Sequence, residues 1–268
     1  MNSITFHSLA AMADFIQSNE RQSNCDTQSA STYSCDVQES HALEIARSGG
    51  RYDTDVEKLK TAMAGMPKYQ RIETTAPAVQ SNVVGFAPVV PNAMMGLPDS
   101  MLCMEPEPAA PPVIKIGVHV GRASCVEEST VYLRAAALLA ALDVLHAQGH
   151  RTELWACWRN TNMGIDCHYD VLVKPESSNW DWQIASFVFA NPAMQRRLFW
   201  NVAERHTRDS AELTDTGNYG HESSTANDGF DVYFGRLNDD LRNMTEAQAK
   251  VSAALAASGL VVEFSNAA

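Results

Sequence analysis

The chain has 268 residues, 20 Lys+Arg against 32 Asp+Glu for a net charge of −12, and is 45% hydrophobic. That length buries a full core without disulfides or metal, and the acidic balance excludes a uniformly basic protein that coats duplex nucleic acid. No uninterrupted apolar stretch reaches the ~18 residues of a membrane span, and the first residues lack the basic start of a secretory signal, so neither an anchor nor a signal is expected.

In chain order, Ser8 is placed to cap a helix whose Leu9, Met12, Phe15 and Ile16 share one face. Residues 19–37, rich in Ser, Gln, Asn and Thr, read as a loop or disordered stretch. Ser40 precedes a second helix through Leu43 and Ala46, closed by Gly49-Gly50. Thr54 and Glu57 form a capping box ahead of Val56, Leu59 and Met63, and Pro67 stops that helix. Residues 1–75 are thus a helical N-terminal part.

Residues 76–112 hold eight of the eleven prolines and no basic residue, which rules out a regular helix or a central strand. The middle of this linker, from Val83-Val84-Gly85-Phe86 to Gly96-Leu97-Pro98 with Met94, Met95, Met101 and Met104, is too apolar for a free tether. It is expected to lie extended on a domain surface.

From 113 to 268 strands and helices alternate. Val113 to Val120 reads as a buried strand, and Ser129/Thr130 can cap a long helix through Leu133, Leu138, Leu142 and Leu145 that ends at Gly149. Thr152 to Trp158 and Tyr169 to Val173 read as a hairpin, Asp181 to Ala190 and Pro192 to His206 as helices. Asp231 to Phe234, a helix from Thr245 to Ser258 and a strand from Leu260 to Phe264 complete the chain. The expected class is α/β: a mostly parallel sheet with flanking helices and a β-hairpin, plus the helical N-terminal part.

Chemistry is sparse. The sequence has no G-x-G-x-x-G, P-loop, H-E-x-x-H or G-x-S-x-G, so no enzyme activity and no cofactor are expected. The six cysteines (25, 35, 103, 125, 157, 167) form no C-x-x-C pair and read as reduced, mostly buried thiols; Cys157, Cys167 and His168 as zinc ligands are the weaker reading. His119 ends the first strand of the α/β part and reads as structural rather than as a general base. Glu127-Glu128, Asp239-Asp240 and Asp215 read as solvated carboxylates, because nothing in their spacing orients two of them at one bond.

The remaining constellation is basic and aromatic. All five tryptophans lie between 155 and 200, and residues 113–210 carry ten basic and ten acidic residues, while the excess negative charge sits in the ends and the linker. Arg151, Trp155, Trp158, Arg159, Lys174, Trp180, Trp182, Arg196, Arg197, Arg205 and Arg208 are the candidate contacts for single-stranded DNA, where cations follow phosphates and flat rings stack on bases. The competing reading makes several of these core aromatics beside an ordinary solvated charge set.

Two resemblances add to this. Strand, polar turn, long helix and hairpin resemble the von Willebrand factor A fold, but His119, Gly121 and Ala123 stand where its metal-binding Asp-x-Ser-x-Ser should be. That implies a metal-less interaction scaffold. Phe6-His7-Ser8-Leu9, Ala42 to Gly49, Val90-Pro91 to Gly96-Leu97-Pro98, Gln148-Gly149-His150-Arg151, Asn191-Pro192 to Phe199 and Asn218-Tyr219-Gly220 together resemble a phage-encoded family of unknown function. It is similar to the single-stranded-DNA-binding RNA polymerase cofactors of podoviruses. This resemblance implies an oligomeric, non-membrane protein of the host cytoplasm that partners single-stranded DNA and a phage RNA polymerase in early transcription.

Overall fold

The computed structural model describes residues 2–20, 35, 37–63, 79–104, 112–122, 126–162, 165–176, 178–206, 229–238 and 240–262. The fold is α/β around a five-stranded sheet. Its strands are β1 (Asn2–Phe6), β5 (Val113–His119), β6 (Arg151–Asn162), β7 (Ile165–Lys174) and β8 (Val232–Phe234), in the order β1-β7-β6-β5-β8. β6 and β7 form the expected antiparallel hairpin; every other pairing in the sheet is parallel. Between β1 and β5, the short strands β2 (Val79–Asn82), β3 (Ala87–Pro88) and β4 (Met101–Met104) make a separate antiparallel sheet in the order β2-β4-β3. It carries one helical turn, α4 (Val90–Met94).

Ser8 caps as expected, whereas the helices expected to be capped by Ser40 and by Ser129/Thr130 begin at Glu39 and Glu128 without a side-chain cap. Ser8 accepts from the Ala11 N–H at 3.1 Å and caps α1 (Leu9–Ser18), which buries Leu9, Met12, Ala13 and Ile16. α2 (Glu39–Arg47) starts one residue ahead of the expected Ser40 cap and closes at Gly49 and Gly50, both at φ 86°. The positive φ at Gly50 favours glycine, and a Cβ there would push the end of the Leu9 side chain aside, 2.5 Å from its Cδ1. α3 (Val56–Met63) buries Val56 and Leu59. α5 (Glu128–Ala147) is apolar on all sides and is the central core helix. By length and composition alone it could cross a membrane, yet 72% of its apolar window is buried inside the protein.

Two helical stretches depart from α geometry. α6 (Trp182–Ala185), capped by the Asp181 carboxylate, runs into a π-helical turn at Ser186–Ala190, and a second π-helical stretch at Met194–Phe199 leads into α7 (Trp200–His206). α8 (Met244–Ala257) is capped by Asn243 and packs on α5 and β8. The expected strand at Leu260–Phe264 is not formed over residues 260–262. The Val261 and Val262 carbonyls instead accept from Gln148 and Ser252, which ties the segment to α5 and α8; positions 263 and 264 lie outside the described residues.

The N-terminal part supplies a strand as well as helices. β1 pairs in parallel with β7, Ile4 opposite Tyr169 and Phe6 opposite Val171, while α1 lies over β1 and β7. Arg197, fully buried, donates from Nε to the Val37 carbonyl at 2.9 Å and from Nη2 to the Cys35 carbonyl at 3.4 Å, so a charged side chain anchors the segment before α2 to the helices after β7. Lys58 Nζ lies 3.1 Å from Glu128, and the Tyr132 hydroxyl lies 2.8 Å from Asp55 and 3.0 Å from Glu128, which joins α3 to α5. Removing Arg197 leaves buried carbonyls without their charged donor. Arg197→Ala is expected to cost about 3 kcal/mol and lower the melting temperature by roughly 5–10 °C, against under ~1 kcal/mol for Arg151→Ala at its half-exposed ion pair with Glu176. Thermal unfolding of the two variants checks the contrast.

Candidate nucleic-acid interface

The structure divides the basic and aromatic candidates between core and surface. Trp158, on β6, is fully buried and stacks on Tyr169 with centroids 5.6 Å apart and planes at 15°. Arg159 is buried and pairs with Asp170 at 2.6 Å. Lys174 is buried with Nζ 2.7 Å from the Thr152 carbonyl and 3.4 Å from that of Pro175, and desolvation lowers its pKa. Arg197 is buried as described, and Trp200 is buried too. These side chains are interior pieces of the fold rather than an exposed basic strip, because each finds an acceptor, a counter-charge or a ring inside.

The other candidates are scattered. Trp180 donates from Nε1 to Asp143 at 2.9 Å and meets Trp182 edge-on at 4.3 Å, both half-buried against the core. Arg205 donates to the Asn19 carbonyl at 3.0 Å and also contacts Asn201 and Glu39. Arg196 is half-buried in the second π-helical stretch, Arg151 lies at the start of β6, and Arg208 lies outside the described residues. Among the described candidates, Trp180 and Trp182 meet each other at the edge of the core, and Trp155 and Arg159 share one aromatic neighbour, Phe230.

Trp155 and Arg159 lie on one face because of strand alternation. Ile114, Ile116, Val118, Leu154, Ala156, Trp158, Tyr169, Val171 and Val232 point to the helix-covered side of the sheet. Lys115, Gly117, His119, Trp155, Cys157, Arg159, Asp170 and Tyr233 therefore point to the other. On this second face Ser3, Thr5 and Lys115 are exposed, and Trp155, Leu172 and Tyr233 are half-buried. Phe230, just before β8, completes a ring cluster: its centroid is 6.2 Å from that of Trp155 and 6.1 Å from that of Tyr233. The Arg159 guanidinium lies 5.9 Å from the centroids of both Phe230 and Tyr233.

Gly117 makes this approach possible, since a Cβ there would stand 2.8 Å from the Phe230 ring and 3.0 Å from that of Tyr233. Trp155 and Arg159 are the members of the cluster that the sequence singles out, and a glycine inside the strand Val113 to His119 marks the close approach. Phe230 and Tyr233 carried no signal of their own, being 71 and 74 positions beyond Arg159 in the chain.

At the carboxyl edge of the same strands, His119 is fully enclosed. Nδ1 accepts from the Gly121 N–H at 2.9 Å, and Nε2 faces the Arg159 main chain, 3.2 Å from its amide nitrogen and 3.4 Å from its carbonyl oxygen. Burial first, then the charges of Arg134, Arg159 and Arg236, push its pKa down to about 3. The ring is neutral and both nitrogens are engaged, a geometry for holding a turn rather than taking a proton. Arg134 donates to the His119 carbonyl at 2.5 Å and to the Gly235 carbonyl at 2.8 Å, stitching the ends of β5 and β8. Asp240 accepts from the Glu127 N–H at 2.7 Å and lies 3.2 Å from the Thr130 hydroxyl. Among the described residues of this edge, a guanidinium bridges the two strand ends and the Asp240 carboxylate accepts from the start of α5, which disfavours a divalent cation there.

Burial pushes the Cys157 thiol up, which keeps it protonated. Cys35, Cys103, Cys157 and Cys167 form no disulfide, and no group of three or more His, Cys, Asp or Glu side chains converges on a metal position among the described residues.

Fold and site together define an α/β protein with one helix-covered sheet face and one partly open face that carries an arginine among aromatic rings. The chain belongs to the family described as Domain of unknown function (DUF7192), which it matches over residues 2–262. Neither a curated protein nor a solved structure matches it.

A pH dependence follows from one buried imidazole and two half-buried ones. His119, His146 (lowered to about 4, mainly by burial) and His206 have folded pKa values below the unfolded value, so the unfolded chain gains protons first as pH falls. Stability is complete above about pH 6.5 and is lost progressively below it, toward about pH 3. The urea midpoint is expected to drop between pH 7.5 and pH 5.0; an unchanged midpoint would mean these histidines are not held neutral.

Proposed function

We propose that the protein binds single-stranded DNA across the open face of its central sheet and serves as a cofactor of a phage RNA polymerase in early transcription. The observation that carries the DNA-binding part is the cluster of Trp155, Phe230 and Tyr233, the last two packed on the Arg159 guanidinium, with Lys115 exposed on the same face. Rings offer sequence-tolerant stacking surfaces for unpaired bases, and duplex DNA hides those bases inside its stack. The neutral charge of residues 113–210 permits a local site despite the −12 of the whole chain. The phage and polymerase part is supported by the sequence blocks noted above.

A metal-less von Willebrand A-like scaffold is the second reading. It is favoured by the strand order β7-β6-β5-β8 with β7 antiparallel, and by Arg134 at the strand ends where that fold binds its cation. Recovery of the same protein partners with and without nuclease treatment would favour it.

A titration with a fluorescent oligo-dT at ~50 mM and ~200 mM salt tests the leading reading. Tighter binding of the single strand than of a duplex and weakening at the higher salt are expected. Trp155→Ala should remove ~1–3 kcal/mol, about 5- to 150-fold, while Lys115→Ala should lower the salt slope by about 1. No binding at the lower salt sinks the proposal. Equal affinity of Trp155→Ala and the parent would place any binding elsewhere.

A further inference from the structure

Residues 79–104 form a unit held together by its own contacts. The Phe86 N–H donates to the Leu102 carbonyl at 2.8 Å, the Val89 N–H to that of Ser100 at 2.7 Å, and the Asn92 amide to that of Asp99 at 3.1 Å. Gly85 is packed so closely that a Cβ there would stand 2.0 Å from the Leu102 oxygen. The prolines end strands and start the α4 turn here without preventing an ordered structure. The unit was expected to lay its apolar side chains on a domain surface. Instead Val83, Val84, Phe86, Val90, Met94, Met95 and Leu97 are between 45% and 84% exposed.

Seven large apolar residues at that exposure leave roughly 800 Å² of accessible surface, main chain included, summed over the unit. Monomers seldom leave open an apolar patch beyond ~300–600 Å², and a stable protein interface takes ~800 Å² from each partner. Ordered backbone beneath an uncovered apolar surface of interface size is the arrangement of a docking arm. Met94 and Met95, unbranched and flexible, suit a surface that adapts to its partner.

Charge selects the occupant. The arm, residues 79–104, carries Asp99 and no Lys or Arg. A second copy of the arm would bring like charges together in a chain that already carries −12. An anionic membrane would meet no cation at all, whereas interfacial segments bind such surfaces through Lys and Arg. We infer that this arm docks on another protein whose surface offers an apolar groove edged by lysines and arginines. The inference is independent of the single-strand proposal, since it uses no residue of the sheet face.

The test uses the full chain and an amphipathic Leu–Lys helical peptide of about 14 residues as the probe, with its Leu–Glu counterpart as control. The triple variant Val84→Ser/Phe86→Ser/Met94→Ser keeps the charge and alters only exposed side chains, so its melting temperature and oligo-dT affinity should match those of the parent. The parent is expected to bind the Leu–Lys peptide at least tenfold more tightly than the triple variant, with no measurable binding of the Leu–Glu peptide. Equal affinity of parent and variant overturns the inference, as does equal binding of the two peptides. A parent dimer that the variant abolishes, seen by light scattering, would make the occupant a second copy. Vesicle binding lost in the variant would make it a membrane, and either result overturns the inference too.

Discussion

The β6–β7 hairpin holds two different chemistries back to back, and the remainder of the fold is arranged around keeping them apart. On one side Trp158 stacks on Tyr169 in the core; on the other Arg159 pairs with Asp170 at 2.6 Å. Adjacent residues point to opposite faces, so slipping the pairing by one position would drive a guanidinium into the helix-covered core and expose an indole. Breaking a buried ion pair by removing one partner costs about 3–5 kcal/mol, which makes the Arg159–Asp170 contact a stringent fix on register.

That register propagates outward. Because β7 runs antiparallel to β6, its outer edge is presented to β1, which joins in parallel and brings α1 over the core. The buried Arg197 secures the segment before α2 to the helices after β7, and the network of Asp55, Lys58, Glu128 and Tyr132 secures α3 to α5. Toward the other edge, β5 sets Gly117 beside Trp155 and leaves space for Phe230 and Tyr233 to close on the Arg159 side chain. The aromatic cluster is thus a consequence of the same alternation that buries Trp158.

What was legible in the sequence was local. Ser8 ahead of Leu9, the buried strand from Val113, the apolar run of α5 and the helix from Thr245 to Ser258 are set by residues within a few turns of one another, and the structure realises each. β1 was missed because Asn2–Phe6 is short and has no turn signal, and gains its order from β7 some 165 positions away. The exposure of the arginines and tryptophans was not legible either. An Arg reads as a surface cation until its partners are known. Those of Arg159 and Arg197 are an aspartate across a hairpin and two carbonyls about 160 positions earlier. Leu260 to Val262 had strand composition but lies where α5 and α8 take up its carbonyls.

The molecule therefore separates its surfaces by chemistry: a partly open sheet face with rings packed over a buried arginine, a carboxyl edge stitched by Arg134, and an apolar arm without a cation. Hydrogen–deuterium exchange with and without a saturating oligo-dT tests most directly whether the sheet face is the one that meets a single strand. Added protection across β5, β6 and residues 229–236, with the arm and α1–α3 unchanged, is the expected result. Protection confined to residues 180–206, or none at an oligonucleotide concentration shown to bind, would contradict it.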